Sequence, residues 1–379
     1  MLTKASLYDL VGDLVVYRNL DPADPRLPRF AEAWVEMGLP APQCPRKLEP
    51  TYAQALTWLL QRARALDAPG VTLAELLLIG DTALDVTAFH NLRSVSGWRG
   101  WAFIGAERDE ELSIAERDGV YTANRWSALA RFISWVLGQG ATLDARTAVI
   151  LDIDKTALAA RGRNHAPIDR ARVAAVEATV AQALGEDYDQ EAFRRAYAVL
   201  NDPQYHQFTA DNQDNLAYIC IMLGAGVSAL EALLADLAAG RLTSFKDFMA
   251  RVDAARDTLP SPGLRALHDE IYARVQAGDP TPFKAFRRRE FLETVRRMGH
   301  LPEDTPLAQR LSEEICLTRE VVEVVQWLRG RRCLVMALSD KPDEATMPTP
   351  ELACQGYLPL HRVPTHIAGP SIMALLPDS

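Results

Sequence analysis

The stretch Val149-Ile150-Leu151-Asp152-Ile153-Asp154-Lys155-Thr156 joins a short apolar run to two aspartates spaced two apart, then a lysine and a threonine. Residues i and i+2 of a strand share a face, so a straight strand projects both carboxylates together. At the carboxyl end of a buried parallel strand they would enter the crevice where α/β sheets bind ligands. Two neighbouring carboxylates repel. One stays ionised when a cation joins it, and the other moves toward its protonated form. An ionised carboxylate beside a proton donor is the equipment for hydrolysis through a covalent intermediate. The plain alternative is a polar turn whose aspartate caps the next helix.

A second acid pair stands in Gly80-Asp81-Thr82-Ala83-Leu84-Asp85, again after an apolar run. Glycine lets the backbone turn sharply, and acids four apart can face one cation from a loop and the first helical turn. Magnesium takes about six oxygens, usually one or two direct carboxylates plus waters. Asp81 is therefore the direct or near ligand and Asp85 acts through water; alone, the pair reads more readily as a helix N-cap. Gly12-Asp13 has no acid four residues on and is assigned nothing. Ser339, ending another apolar run, offers a hydroxyl to a phosphoryl oxygen, although a serine there is more often a turn residue. Lys47 precedes the Tyr52 to Leu66 helical pattern and would place a point charge on a phosphate. The chain's lysines are only Lys4, Lys47, Lys155, Lys246, Lys284 and Lys341, which makes each location informative.

These residues need a sheet to hold them. Apolar spacing predicts helices over 52–66, 126–137 and 319–328 and strands over 76–79, 101–104, the run before Asp152, and 333–338. Thr72-Leu73-Ala74-Glu75 reads as a capping box. Strands alternating with helices imply an α/β fold around a Rossmann-like parallel sheet. From Ala157 to about Ser312 the texture turns helical, with blocks at 173–184, 190–200, 215–223 and 228–237 and prolines at 260, 262, 280 and 282. The expected division is 1–156 and 316–379 for the sheet domain, with a helical domain over 157–315. The polar run Thr209 to Asn215 lacks the glycine and final glutamate of a calcium loop and reads as a helix cap. Residues 1–45 are the least legible.

Together the motifs resemble the haloacid dehalogenase superfamily, in its aspartate-nucleophile phosphatases. Asp152-Ile153-Asp154-Lys155-Thr156 is similar to its DxDxT motif, Ser339-Asp340-Lys341-Pro342 to its strand-end Ser/Thr segment, Lys47 to its lysine, and Gly80-Asp81 with Asp85 to its acid pair. The family order is first, second, third, fourth, whereas here it is third, fourth, first, second. A circular permutation accounts for this, with the old ends joined through roughly Glu107 to Arg146. Lys341 is the alternative to Lys47. The resemblance implies a helical cap inserted after the first motif and hydrolysis of a small phosphomonoester with Mg²⁺. Asp152 is then the nucleophile and Asp154 the acid and base, with Ser339 and Lys47 on the phosphoryl oxygens. Asp81, Asp85, Asp152 and the backbone carbonyl of Asp154 are the implied metal ligands. Arg161, Arg163 and His165 follow the nucleophile closely enough to touch a leaving group, or else form an exposed basic loop. An acid two after the nucleophile favours phosphatase, with phosphomutase or phosphotransferase second. A phospho-acceptor domain and a non-catalytic binding protein are the other classes.

A net charge of −9 argues against non-specific nucleic-acid or anionic-membrane binding, and no apolar run suits a membrane span. The start Met1-Leu2-Thr3-Lys4 has no apolar signal core. Five cysteines without a CxxC pair fit neither structural zinc nor a disulfide framework, which implies a reducing cytoplasm. A homodimer in which each chain completes its partner's sheet is compatible with the motif order.

Overall fold

A computed structural model describes residues 3–185, 188–210 and 212–378. The chain divides into two compact units, Met1–Arg170 with Thr294–Ser379, and Ala171–Glu293. The first is α/β. Its seven-stranded sheet contains β2 (Val15–Val16), β3 (Glu75–Gly80), β4 (Arg99–Gly105), β5 (Ile114–Arg117), β6 (Val120–Ala123), β7 (Thr147–Asp152) and β9 (Leu334–Leu338). The order is β2-β9-β7-β3-β4-β6-β5, all parallel except the edge strand β5. A small sheet pairs β1 (Lys4–Ala5), β10 (Thr365–Ala368) and β8 (Leu317–Thr318).

Alternation along the central strands explains the layers. Leu77, Ile79, Val149, Leu151, Val335 and Ala337 pack on one face against Phe132, Ile133, Val136, Val321, Val325 and Leu328, from the helices Leu129–Gly138 and Arg319–Gly330. Leu76, Leu78, Ala148, Ile150, Leu334 and Met336 face the other way, onto Leu56, Leu59, Leu60, Phe89 and Leu92 of the helices Pro50–Asp67 and Ala83–Ser96. Each fully buried leucine or isoleucine contributes roughly 1.5–3 kcal/mol, so both layers hold the sheet firmly. The strands and helices expected of the sheet domain form within three residues of their expected ends, whereas the helix expected over 173–184 begins earlier, as Ala166–Leu184. Thr72-Leu73-Ala74-Glu75 does not cap a helix. Glu75 opens β3, and its carboxylate accepts from Thr142 N (3.0 Å), Leu143 N (3.2 Å) and Thr147 Oγ1 (2.9 Å), tying the strand to the turn before β7.

The second unit is helical. It holds the helices Gln190–Leu200, Gln213–Gly224, Leu230–Ala238, Phe245–Ala254 and Pro262–Gln276, around Phe193, Tyr218, Met222, Phe248, Leu264 and Phe286. Asn212 caps Gln213–Gly224 by accepting from Asp214 N at 2.9 Å; Asp211, in the same polar run, lies outside the described residues. The expected limits 157–315 are wider than this unit. Ala157, Leu158, Ala159, Ala160, Met298 and Ile315 are buried in the sheet's own core, which keeps 157–170 and 294–315 with the first unit. Among the described residues no helix is long and apolar enough to cross a membrane.

Candidate active site

β3 and β7 are neighbours, yet the chain leaves them in opposite directions. β3 leads through Ala83–Ser96 to β4 on one side, and β9 lies on the other side of β7. Adjacent strands that part this way open a crevice at their carboxyl ends. Asp152 ends β7 there, and Asp81 follows β3.

The end of β3 is shaped by a close approach. Thr82 is the N-cap of Ala83–Ser96, and Asp85 Oδ2 accepts from Asp81 N (3.1 Å), Thr82 N (2.9 Å) and Thr82 Oγ1 (2.8 Å). Asp85 is thus the acidic half of a capping box, which suits the positive end of a helix. A side chain at position 80 would sit 2.6 Å from Asp85 Cγ. Gly80 is required by space, since its backbone is not left-handed.

Asp85 has a second oxygen. Its Oδ1 lies 2.7 Å from Lys47 Nζ, and Lys47 donates to Asp152 Oδ1 at 2.9 Å. Lys47, just before the Pro50–Asp67 helix, therefore bridges the two strand-end motifs. One oxygen from each of Asp81, Asp85 and Asp152 lies within 4.8 Å of the others, and all three residues are buried. The guanidinium Nε of Arg161 donates to Asp81 Oδ2. The loop fixes Arg161 through its backbone, whose carbonyl accepts from Glu107 N (2.8 Å) and Trp126 Nε1 (3.1 Å). Gly162, at φ +83°, leaves no room for a side chain, which would collide with the Glu107 carbonyl.

The DxD spacing works through a turn. β7 stops at Asp152, Lys155 takes a left-handed φ of 62°, and Asp154 swings toward β9. Ser339 Oγ donates to Asp154 Oδ2 at 2.5 Å and accepts from Lys341 N at 3.0 Å. Lys341 Nζ lies 3.2 Å from Asp154 Oδ1. Both lysines serve: Lys47 serves Asp152, and Lys341 serves Asp154. The carboxylate of Asp154 is outside the three-acid cluster.

Burial pushes Asp152 well above the usual carboxylate range; Lys47 opposes this, and Asp85 and Asp81 add to it. Burial also pushes Asp81 up to about 6 against the pull of Arg161. Asp85 moves down despite burial, because Lys47 and the cap hydrogen bonds favour its charged form. With all three acids ionised, the two cations leave negative charge uncompensated, and the hard carboxylate oxygens match the ligands magnesium takes.

Arg163 and His165 are engaged elsewhere. Arg163 grips Glu320 (2.6 and 2.9 Å) and Glu107 (3.0 Å), and His165 Nδ1 accepts from Gly162 N at 3.0 Å. Arg163 is a strut between the loop and the Arg319–Gly330 helix, and His165 closes a turn. Asp13, assigned nothing, binds His361 and Arg362 just before the edge strand β2. No family model, no curated protein and no solved structure matches the chain.

Proposed function

We propose that the chain is a Mg²⁺-dependent phosphatase of the haloacid dehalogenase type, with circularly permuted motifs and a helical cap, acting on a small phosphomonoester. One observation carries this reading: four segments far apart in sequence, bearing Lys47, Asp81 with Asp85, Asp152 with Asp154, and Ser339 with Lys341, meet at one sheet end, where Lys47 joins Asp85 and Asp152 (2.7 and 2.9 Å) and Ser339 and Lys341 hold Asp154 (2.5 and 3.2 Å). A turn aspartate, a surface lysine and a strand-end serine with unrelated roles have no reason to converge.

Asp81, Asp85 and Asp152 would hold the ion, which supplies positive charge to the phosphoryl group and to the ionised nucleophile. The remaining chemistry belongs to the side chains. An Asp152 oxygen bonds to phosphorus while the ester oxygen leaves with a proton from Asp154, giving an aspartyl-phosphate and a free alcohol. Asp154 then takes a proton from water, whose oxygen attacks phosphorus and releases Asp152 and inorganic phosphate. Lys47 orients Asp152 and neutralises charge that grows on the phosphoryl oxygens, and Ser339 orients Asp154. Arg161 sets the position of Asp81.

The test is phosphate release with Mg²⁺ across a panel of phosphorylated metabolites, with Asp152→Asn as blank. Turnover by the parent and a loss of at least about 10³-fold in the variant are expected. Equal rates in both would remove Asp152 as nucleophile. One trapped phosphate per chain without turnover would instead mark a phospho-acceptor.

A further inference from the structure

A cavity of about 180 Å³ lies at the opposite end of the sheet from Asp152, where the turn 11–14 enters β2 and residues 333–335 begin β9. The last turn of the Pro50–Asp67 helix forms another wall. Three acids line it, and each already has a cation. Asp13 is held by Arg362 at 2.6 Å, Asp24 by both arms of Arg26 (2.6 and 3.0 Å), and Asp67 lies 3.6 Å from that same Arg26.

Two arginines on the wall are not matched in this way. Arg64 is only 5% exposed; its Nη2 reaches the Arg332 carbonyl at 3.4 Å, and its Nε is buried with no acceptor. Arg329 donates through Nη1 to the Asp9 carbonyl at 2.9 Å. Among the described residues no carboxylate lies within ion-pair distance of either. A buried guanidinium whose donors lack acceptors is costly, and burial does lower the pKa of Arg64, with Asp67 only partly offsetting it. Two guanidinium forks on one small, roomy cavity are what a multidentate oxyanion satisfies, with space for accompanying waters. Cys333, also on the wall, is not a competing reactive group, because burial pushes its thiol up to about 12.

We infer that this cavity is a second, non-catalytic site for an oxyanion of the size and charge of inorganic phosphate, gripped by Arg64 and Arg329. It stands independently of the three-acid cluster and of the proposed reaction. The test titrates inorganic phosphate into the full-length, Mg²⁺-free protein, following heat and the Arg64 Nε–H resonance by NMR. A saturable shift of that resonance is expected, with affinity at least 10-fold weaker in Arg329→Gln and Arg64→Lys and unchanged in Lys47→Ala. Arg329 is exposed, so its replacement keeps the test valid even if Arg64→Lys folds poorly. An unmoved Arg64 resonance, parental affinity in Arg329→Gln, or loss of binding in Lys47→Ala would each overturn the inference; the last would return the anion to the other end of the sheet.

Discussion

Asp85 divides its two oxygens between a helix cap and Lys47, so one side chain both starts a helix and sets the charge of the cluster. Asp85→Asn keeps the shape but weakens both roles. It should cost roughly 1–2 kcal/mol in denaturant unfolding and lower the affinity for Mg²⁺ measured by calorimetry. Proton linkage gives a second expectation. Asp81 and Asp152 hold their protons to higher pH than ordinary carboxylates, and a cation needs them ionised. Mg²⁺ affinity should therefore rise from pH 5 to pH 7 with protons released on binding, read from calorimetry in buffers of different ionisation heat. Affinity flat over that range would contradict it. Away from the cluster, burial and the nearby Asp21 raise Asp343 from 3.8 to about 6. The folded state then binds the proton more tightly, so Asp343 favours folding below pH 4 and this is lost as pH rises through 6. Asp343→Asn should raise Tm by roughly 2–4 °C at pH 7 and leave it unchanged near pH 4. At this scale the sequence was highly legible for acids, because apolar runs ending in paired aspartates are uncommon. Arg161 was harder to assign: a basic residue shortly after Asp152 signals ligand contact as readily as its actual grip on Asp81.

The elements were legible where they are long and periodic. Pro50–Asp67, Arg319–Gly330 and the central strands follow directly from apolar spacing. Two-residue strands cannot announce themselves, and β2, a full member of the sheet, lies in the least legible region. The β5–β6 hairpin did carry a signal, since Asp118-Gly119 takes φ of 52° and 84°, the left-handed pair a tight hairpin needs. Thr72 to Glu75 misleads because a capping-box pattern describes only neighbours, while the partners of Glu75 lie at 142–147, which no local pattern contains. Gly80 carries the element-scale prediction. Gly80→Ala pushes Asp85 out of its cap and should destabilise by about 1–3 kcal/mol in urea while weakening Mg²⁺ binding. Gly97→Ala, at the far end of the same helix with nothing within 4 Å, should affect stability alone.

For the molecule as a whole, the strand order β2-β9-β7-β3-β4-β6-β5 is set by packing and pairing, not by where the chain starts. β1 pairs with β10, Lys4 beside His366, which brings the first and last strands together. A variant whose ends are joined by a short Gly/Ser linker and reopened in the turn 139–144 should fold cooperatively, with the parent's far-UV spectrum and metal affinity. Failure of that variant to fold would mean the present order is structurally required. The division into an α/β and a helical unit was visible as a change of texture, but its limits were not. Segments 157–170 and 294–315 read as helical or irregular, and only their buried apolar residues assign them to the sheet. The parting of the chain at β3 and β7 has a consequence for redesign. Although the two acid-bearing strands hand their successors to opposite sides, the segments that follow them meet again, because Glu107 N donates to the Arg161 carbonyl and Arg163 grips Glu107; an insert after Thr156 and an exchange near Glu107 therefore have to be designed together. The two segments thus form one unit for redesign, which yields only to paired changes.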